Sequence, residues 1–313
     1  MKEYRVVGVG HSCLDKICTV ENYPREDDST HITSILTQGG GAVATALVAL
    51  SRLGVPTLFI GNGGFDNVTD EIEKLFVMDG VGCNIIRRKD CHGLESFVMV
   101  NPANGSRTKF PQRDTNPGIE WNSQLEEIIK GADILHLDGT NWENAYSAAS
   151  IAKKHGVTIS LDGCSMQKDN EKNIRLASMS DILIMNSKYP LRVSGKDTYE
   201  DALLEMSTWG PKVVVATLGN KGSLAVKDGK IVEYGIYKEE NVLDTTGCGD
   251  VFHGAFLASW LEREDLDFAI KFAAITSGLK TRKMGGRAGI PNRDQVLEII
   301  GNQLLWQQKR RNI

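Results

Sequence analysis

The sequence predicts an α/β fold: a mainly parallel central sheet with helices on both faces, plus a small β-sheet set apart from it. Three observations predict it. Through the middle of the chain, short apolar runs alternate with helix-length amphipathic segments, the rhythm of βα units. Two stretches of alternating β-formers, at residues 22–37 and 95–110, break that rhythm early. Near residue 245 a Gly-rich loop feeds a long apolar-periodic run, which reads as a loop entering a helix N-terminus.

The elements follow in order. Tyr4-Arg-Val-Val-Gly-Val-Gly10 is a buried first strand ending in glycine, and residues 16–20 turn towards another strand. That context and the missing third glycine remove what the dinucleotide fingerprint requires, and leave a nicotinamide dehydrogenase as the cross-class alternative. His31-Ile-Thr-Ser-Ile-Leu-Thr37 belongs to a hairpin over residues 22–37, outside the main sheet. Glu95-Ser-Phe-Val-Met-Val100 and Arg107-Thr-Lys-Phe110 form a second pair, joined by the turn Asn101-Pro-Ala-Asn-Gly105. Between them, Gly39, Gly40 and Gly41 open a helix that ends at Gly54, and a strand follows at 56–60. Strands are then expected at 133–137, 157–161, 181–185, 212–216 and 223–226. Helices are expected at 142–155, 198–209, 250–261 and 266–280. No linker and no internal repeat divides the chain, so 1–313 reads as one domain with extra strands drawn from about 15–37 and 94–112.

The chemistry concentrates in Asp244-Thr-Thr-Gly-Cys-Gly-Asp250. Gly247 and Gly249 flank Cys248, so backbone N–H groups at a helix start converge on one space and favour an anion. Asp250 in the first turn is a carboxylate beside that anion hole. Phosphoryl transfer to an alcohol needs both: a base for the hydroxyl proton, and donors for the charge on the moving group. A thiol at a helix N-terminus is also expected to have a depressed pKa, so Cys248 is expected to be reactive.

This stretch closely resembles the C-terminal signature D-T-x-G-A-G-D of the ribokinase-like PfkB carbohydrate kinases, with Cys248 for the usual Ala. The likeness runs from Gly10 to Pro291. Gly10-His-Ser-Cys-Leu-Asp15 resembles the family's first-strand step, whose Asp holds sugar hydroxyls. The Gly39–Gly41 entry is similar to G-G-x-x-x-N-x-A, with Ala44 where the family has Asn. Gly61-Asn-Gly-Gly-Phe-Asp66 resembles G-x-x-G-x-D. Asn186 begins the N-x-x-E motif, but Tyr189 stands where the family's magnesium-organising Glu belongs. Thr217-Leu-Gly-Asn-Lys-Gly222 resembles T-x-G-x-x-G at the nucleotide.

The resemblance implies an ATP-dependent sugar kinase with Asp250 as base and Gly247, Cys248 and Gly249 as the anion hole. It places the acceptor at Asp15, Gly40, Gly41 and Arg107, under a lid made by the small sheet. It places ATP·Mg²⁺ at Asn186, Thr217, Gly219, Gly222 and Gly286, with Arg282, Lys283 or Arg287 offsetting phosphate charge. It also implies a monovalent cation such as K⁺ at Asp244 and Thr246, and a homodimer through the lid. Gly-Gly-Arg-Ala-Gly-Ile-Pro291 looks most like sulfofructose kinases, and Gly105-Ser-Arg-Thr108 with His136-Leu-Asp-Gly139 like ketohexokinases. A ketohexose-like acceptor is therefore expected, although Ser29, Lys109 and Thr140 argue against a sulfosugar in particular. The alternatives are ribose, 2-keto-3-deoxygluconate or a nucleoside as acceptor, or a non-catalytic sugar-binding relative. Asp138 and Asp162 follow strand ends and are expected to be structural hydrogen-bonders.

Net charge is −4 with mixed signs, which excludes a basic field for nucleic acid. No apolar run approaches the roughly 20 residues of a membrane span. The six cysteines show no paired or metal-ligand spacing, and Met-Lys-Glu-Tyr-Arg5 leads into a strand without an apolar leader, so a cytoplasmic protein with free thiols is expected.

Overall fold

The computed structural model describes residues 2–101, 103, 107–302 and 308–310. Along the chain the strands are β1 (Val6–Val9), β2 (Cys13–Val20), β3 (Ile32–Gly40), β4 (Thr57–Gly63), β5 (Gly82–Arg87), β6 (Glu95–Val100) and β7 (Arg107–Pro111). Then come β8 (Ile134–Leu137), β9 (Thr158–Gly163), β10 (Ile182–Asn186), β11 (Val213–Thr217), β12 (Ser223–Lys227), β13 (Lys230–Tyr234) and β14 (Gln308–Arg310). The helices are α1 (Ala42–Arg52), α2 (Asn67–Met78), α3 (Ser123–Gly131), α4 (Trp142–His155) and α5 (Asn170–Met179), followed by α6 (Tyr189–Ser194), α7 (Tyr199–Ser207), α8 (Cys248–Trp260), α9 (Leu266–Lys280) and α10 (Arg293–Asn302).

The large sheet runs β14-β13-β12-β11-β10-β9-β8-β1-β4-β5, and it is parallel from β11 through to β5. Its strands are apolar on both sides because both faces are covered. One face packs against α1, α8 and α9, through Leu47, Phe256 and Phe272. The other packs against α3 to α7, through Ile129, Ala149 and Leu203. Side-chain caps start several of these helices: Asn141 accepts from Asn144 N, and Asp265 from Phe268 N. Helices α1 and α8 approach so closely that a Cβ on Gly254 would lie 2.3 Å from the Ala46 carbonyl oxygen.

The small sheet has the order β3-β2-β6-β7 around its own core of Ile17, Val98 and Val100. Here one expectation is corrected. Residues 22–37 are not a hairpin by themselves: 21–31 contain no strand, and β3 pairs antiparallel with β2, Lys16 opposite Thr37. The charged run Arg25-Glu-Asp-Asp28 lacks an apolar alternation to pair, and it is exposed. The turn expected at 101–105 lies largely outside the described residues.

Candidate active site

Glycine 247 begins the site. It caps α8 with φ of 73°, a left-handed conformation that suits glycine, and a Cβ there would come within 3.0 Å of the Gly286 backbone. The turn brings Thr245 to Asp250 across the carboxyl ends of β1, β8 and β9. Among the described residues, the amides of Gly247 and Gly249 have no hydrogen-bond acceptor, while the Cys248 amide already donates to Thr245 O at 3.3 Å. The anion hole is thus offered by the two glycine amides more than by Cys248.

Asp250 sits in the first turn of α8, partly open to the cleft. Burial, reinforced by the Asp162 carboxylate, pushes its pKa up to about 7, while His253 and Lys109 pull the other way. Behind it lies a polar cluster. His253, one turn further along α8, meets Asp162 at the end of β9 with Nε2 3.2 Å from Oδ1, and both side chains are nearly inaccessible. Burial opposes ionisation of Asp162, yet His253 keeps its pKa below the usual value. His136 on β8 lies with its ring tilted 42° to that of His253, centroids 5.7 Å apart, and bonds Ser160 Oγ at 3.1 Å; burial holds its pKa down to about 3, which favours the neutral ring. Asp162 is therefore not merely structural, because it belongs to the surroundings of the base. Asp138 is structural as expected, accepting from the amides of His11 (2.7 Å) and Thr140 (2.8 Å).

On the other side of the cleft, Asp15 on β2 lies against the end of β3, where a Cβ on Gly40 would come within 2.2 Å of Asp15 Oδ2. Gly41 has φ of 97°, and a Cβ there would meet the His11 carbonyl at 2.2 Å. Asp15 and Gly40, two of the residues expected to hold the acceptor, are thus brought together, with Gly41 next in the chain. Arg107 on β7 is not beside them: its guanidinium binds the Asp244 carboxylate and the hydroxyls of Thr245 and Thr246, clamping the small sheet onto the anion loop. A cavity of about 50 Å³ beyond β1 is lined by His11, Asn62, His92 and Asn116, none of which carried a sequence signal.

Residues 4–293 match the pfkB family carbohydrate kinases. The chain belongs to this family. It is a phosphotransferase with an alcohol group as acceptor. It is 30% identical to the ribokinase of Staphylococcus aureus (strain COL) over 311 residues, which covers 94% of this chain and 99% of that one. It is 24% identical to an ATP-dependent 6-phosphofructokinase of Thermoanaerobacterium thermosaccharolyticum over 308 residues, covering 94% and 93%. The structure of Arabidopsis thaliana ribokinase complexed with ribose and ATP superposes with a TM-score of 0.83 at 26% identity, covering 96% and 99%.

Next to the PfkB anion loop opens a cavity of about 520 Å³, lined by Thr217, Gly219 and Gly222 on one side and by Cys248 and Gly249 on the other. Ile236, Tyr237, Val242, Phe252 and Ala274 give it an apolar side, and polar residues such as Lys238, Glu239 and Ser277 complete the lining. Sequence reasoning missed these walls, because a slot assembled from a connecting segment and two helices has no local motif. Asn186 and Gly286 do not line it. Asn186 Oδ1 accepts from the amides of Lys188 and Tyr189 at the start of α6, and Gly286 backs onto Gly247. Tyr189, at the family's Glu position, is buried with its hydroxyl donating to Asn173 O at 3.4 Å.

Two expectations are corrected. Burial raises the Cys248 thiol above its ordinary pKa; Lys280 and Arg107 pull it down, and the Asp244 and Asp250 carboxylates add to the rise. Arg287 does not face a phosphate. It is buried, donating to Gly40 O at 3.1 Å and pairing with Asp79 at 3.4 Å, while Arg282 pairs with Glu239 at 2.9 Å. Among the described residues no group of His, Cys, Asp and Glu forms a metal cage, and no helix is long and apolar enough to cross a membrane. A magnesium–nucleotide complex holds its ion largely through phosphate oxygens and water and needs no such cage.

Proposed function

We propose that this kinase transfers the γ-phosphoryl group of ATP to a hydroxymethyl group of a small, ketohexose-shaped sugar. One observation carries the reading: the Asp250 carboxylate in the first turn of a helix where the Gly247 and Gly249 amides lack acceptors, beside a cavity of about 520 Å³ that Cys248 and Gly249 also line. The acceptor lies between Asp15, Gly40 and Gly41 under the small sheet, which acts as the lid, and the whole chain works as one domain. Asp250 takes the hydroxyl proton as the oxygen attacks, and the Gly247 and Gly249 amides hold the charge on the phosphoryl group. Magnesium, when bound with the nucleotide, would offset phosphate charge. The lid excludes water, so that the sugar hydroxyl is phosphorylated in preference to it.

The relation to a phosphofructokinase supports a fructose-like acceptor. A pentose is the second reading, favoured by the 30% identity to a ribokinase over nearly the full length of both chains. Ala44, fully buried in α1, offers no amide to a sugar, so hydroxyl recognition falls on Asp15 and the glycine backbone. The exposed apolar side chains of the lid, Ile35, Ile32 and Phe110, support a homodimer formed through it, and six unpaired thiols suit a cytoplasmic enzyme.

The test is ADP release from ATP·Mg²⁺ over fructose, tagatose, psicose, sulfofructose, ribose, 2-keto-3-deoxygluconate, inositol and adenosine. A strong response to one ketohexose, abolished in Asp250→Asn, supports the reading; a response to ribose alone replaces the acceptor. Sugar binding without any acceptor-dependent release would make the chain a binding protein.

A further inference from the structure

The resemblance to PfkB kinases brings with it a monovalent cation at Asp244, Thr246 and the backbone of the 281–291 loop. The Asp244 side of such a site does not suit one in this chain. A potassium ion trades its water for a shell of several carbonyl or carboxylate oxygens, and here the Asp244 carboxylate and the Thr281 and Arg287 carbonyls already have protein donors. Asp244 Oδ1 accepts from Thr246 N at 2.8 Å, from Thr246 Oγ1 at 2.7 Å and from Arg107; Oδ2 accepts from Gly285 N at 2.7 Å. The Thr281 carbonyl receives the amides of Leu243 (2.8 Å) and Asp244 (3.1 Å). The Arg287 carbonyl receives Ile290 N at 3.1 Å and an Arg52 guanidinium N–H at 2.5 Å. Gly289 presses so close to the Lys280 carbonyl that a Cβ there would lie 2.0 Å from it.

The backbone carbonyl of Asp244 in turn accepts from Lys280 Nζ at 3.0 Å. Lys280 is the last residue of α9 and is fully buried. We propose that the Lys280 ammonium stands in for the monovalent cation, fixing the anion loop to the end of α9 and making this kinase independent of K⁺. An ammonium is a compact cation with three donors, and the carboxyl end of a helix favours a positive charge. Burial lowers its pKa from the ordinary lysine value, while Asp244 and Asp250 support the charged form. Its role is to position the loop, since it touches Asp244 and not the reacting atoms.

The inference rests on reading 244–250 as a kinase anion loop, so its test includes a measurement that needs no turnover. The thermal midpoint of the ligand-free chain is compared in KCl and in N-methylglucamine chloride at equal ionic strength, and ADP release is compared in the same salts. The expected result is the same midpoint and turnover within roughly twofold in both, because a protein that binds no K⁺ gains nothing from it by mass action. A saturable rise of either with KCl would overturn the proposal. Lys280→Met is expected to lower the midpoint and turnover and to regain part of both in KCl but not in N-methylglucamine. A folded variant that ignores KCl would also overturn it. Should Lys280→Met not fold, the parent comparison still decides. Should no acceptor give ADP release, the kinase reading fails while the thermal measurement still judges the lysine.

Discussion

As the proposed base, Asp250 would have to be ionised to act, and its surroundings resist that ionisation. With its pKa at about 7, turnover is expected to fall as pH drops through neutrality, measured as the acid limb of a kcat profile. The cluster behind it makes two opposed predictions. Asp162→Asn removes a like charge and should move that limb to lower pH, whereas His253→Asn removes an opposing charge and should move it higher. A purely structural role for the pair would lower turnover without moving the limb. Asp250→Asn itself should fold and lose roughly 10²–10⁴ in turnover. The sign for stability is also fixed. The folded pKa is raised above the unfolded value, so the group's favourable contribution is complete below about pH 4 and is lost as pH rises through about 7. At pH 8 the Asn variant should therefore be more stable than its parent, by roughly 1–3 kcal/mol in urea unfolding.

Strand β7 contributes Arg107, and that side chain ties the small sheet to the anion loop. Arg107→Ala should loosen closure, raising the ADP released per acceptor phosphorylated as water gains entry. An unchanged ratio would remove Arg107 from the closing contact. Helices α1 and α8 meet where Gly254 faces the Ala46 carbonyl, so Gly254→Val should cost about 1–3 kcal/mol by overpacking, read as a lowered thermal midpoint. The signature loop and the βα rhythm were legible because their information is local: glycines at a helix start and apolar runs of strand length. The partner of β3 was not. Its alternation says that it is a strand, but the choice of β2 across a charged loop is decided by packing between distant residues. Arg107 was legible as functional and illegible in direction, since nothing around it in sequence says that it reaches Asp244.

Across the molecule the same distinction holds. Thr217, the last residue of β11, falls where the α/β topology puts ligands, at the carboxyl ends of the large sheet, whereas Asp15 comes from β2 of the small sheet. The Lys280 and His253 contacts join elements far apart in the chain and leave no periodic trace. Arg287 belongs to that class, and it has a consequence. Its guanidinium holds Gly40 at the acceptor pocket, its carbonyl holds Arg52, and both arginines share Asp79. A Cβ on Gly39 would lie 2.1 Å from that guanidinium, and one on Gly285 would lie 2.2 Å from Gln38, so the segment after α9 and the glycine strand fit together with no slack. A ligand that settles one of them settles the other. Sugar and nucleotide should therefore bind with positive heterotropic linkage, each tightening the other by the same factor, as reciprocity requires.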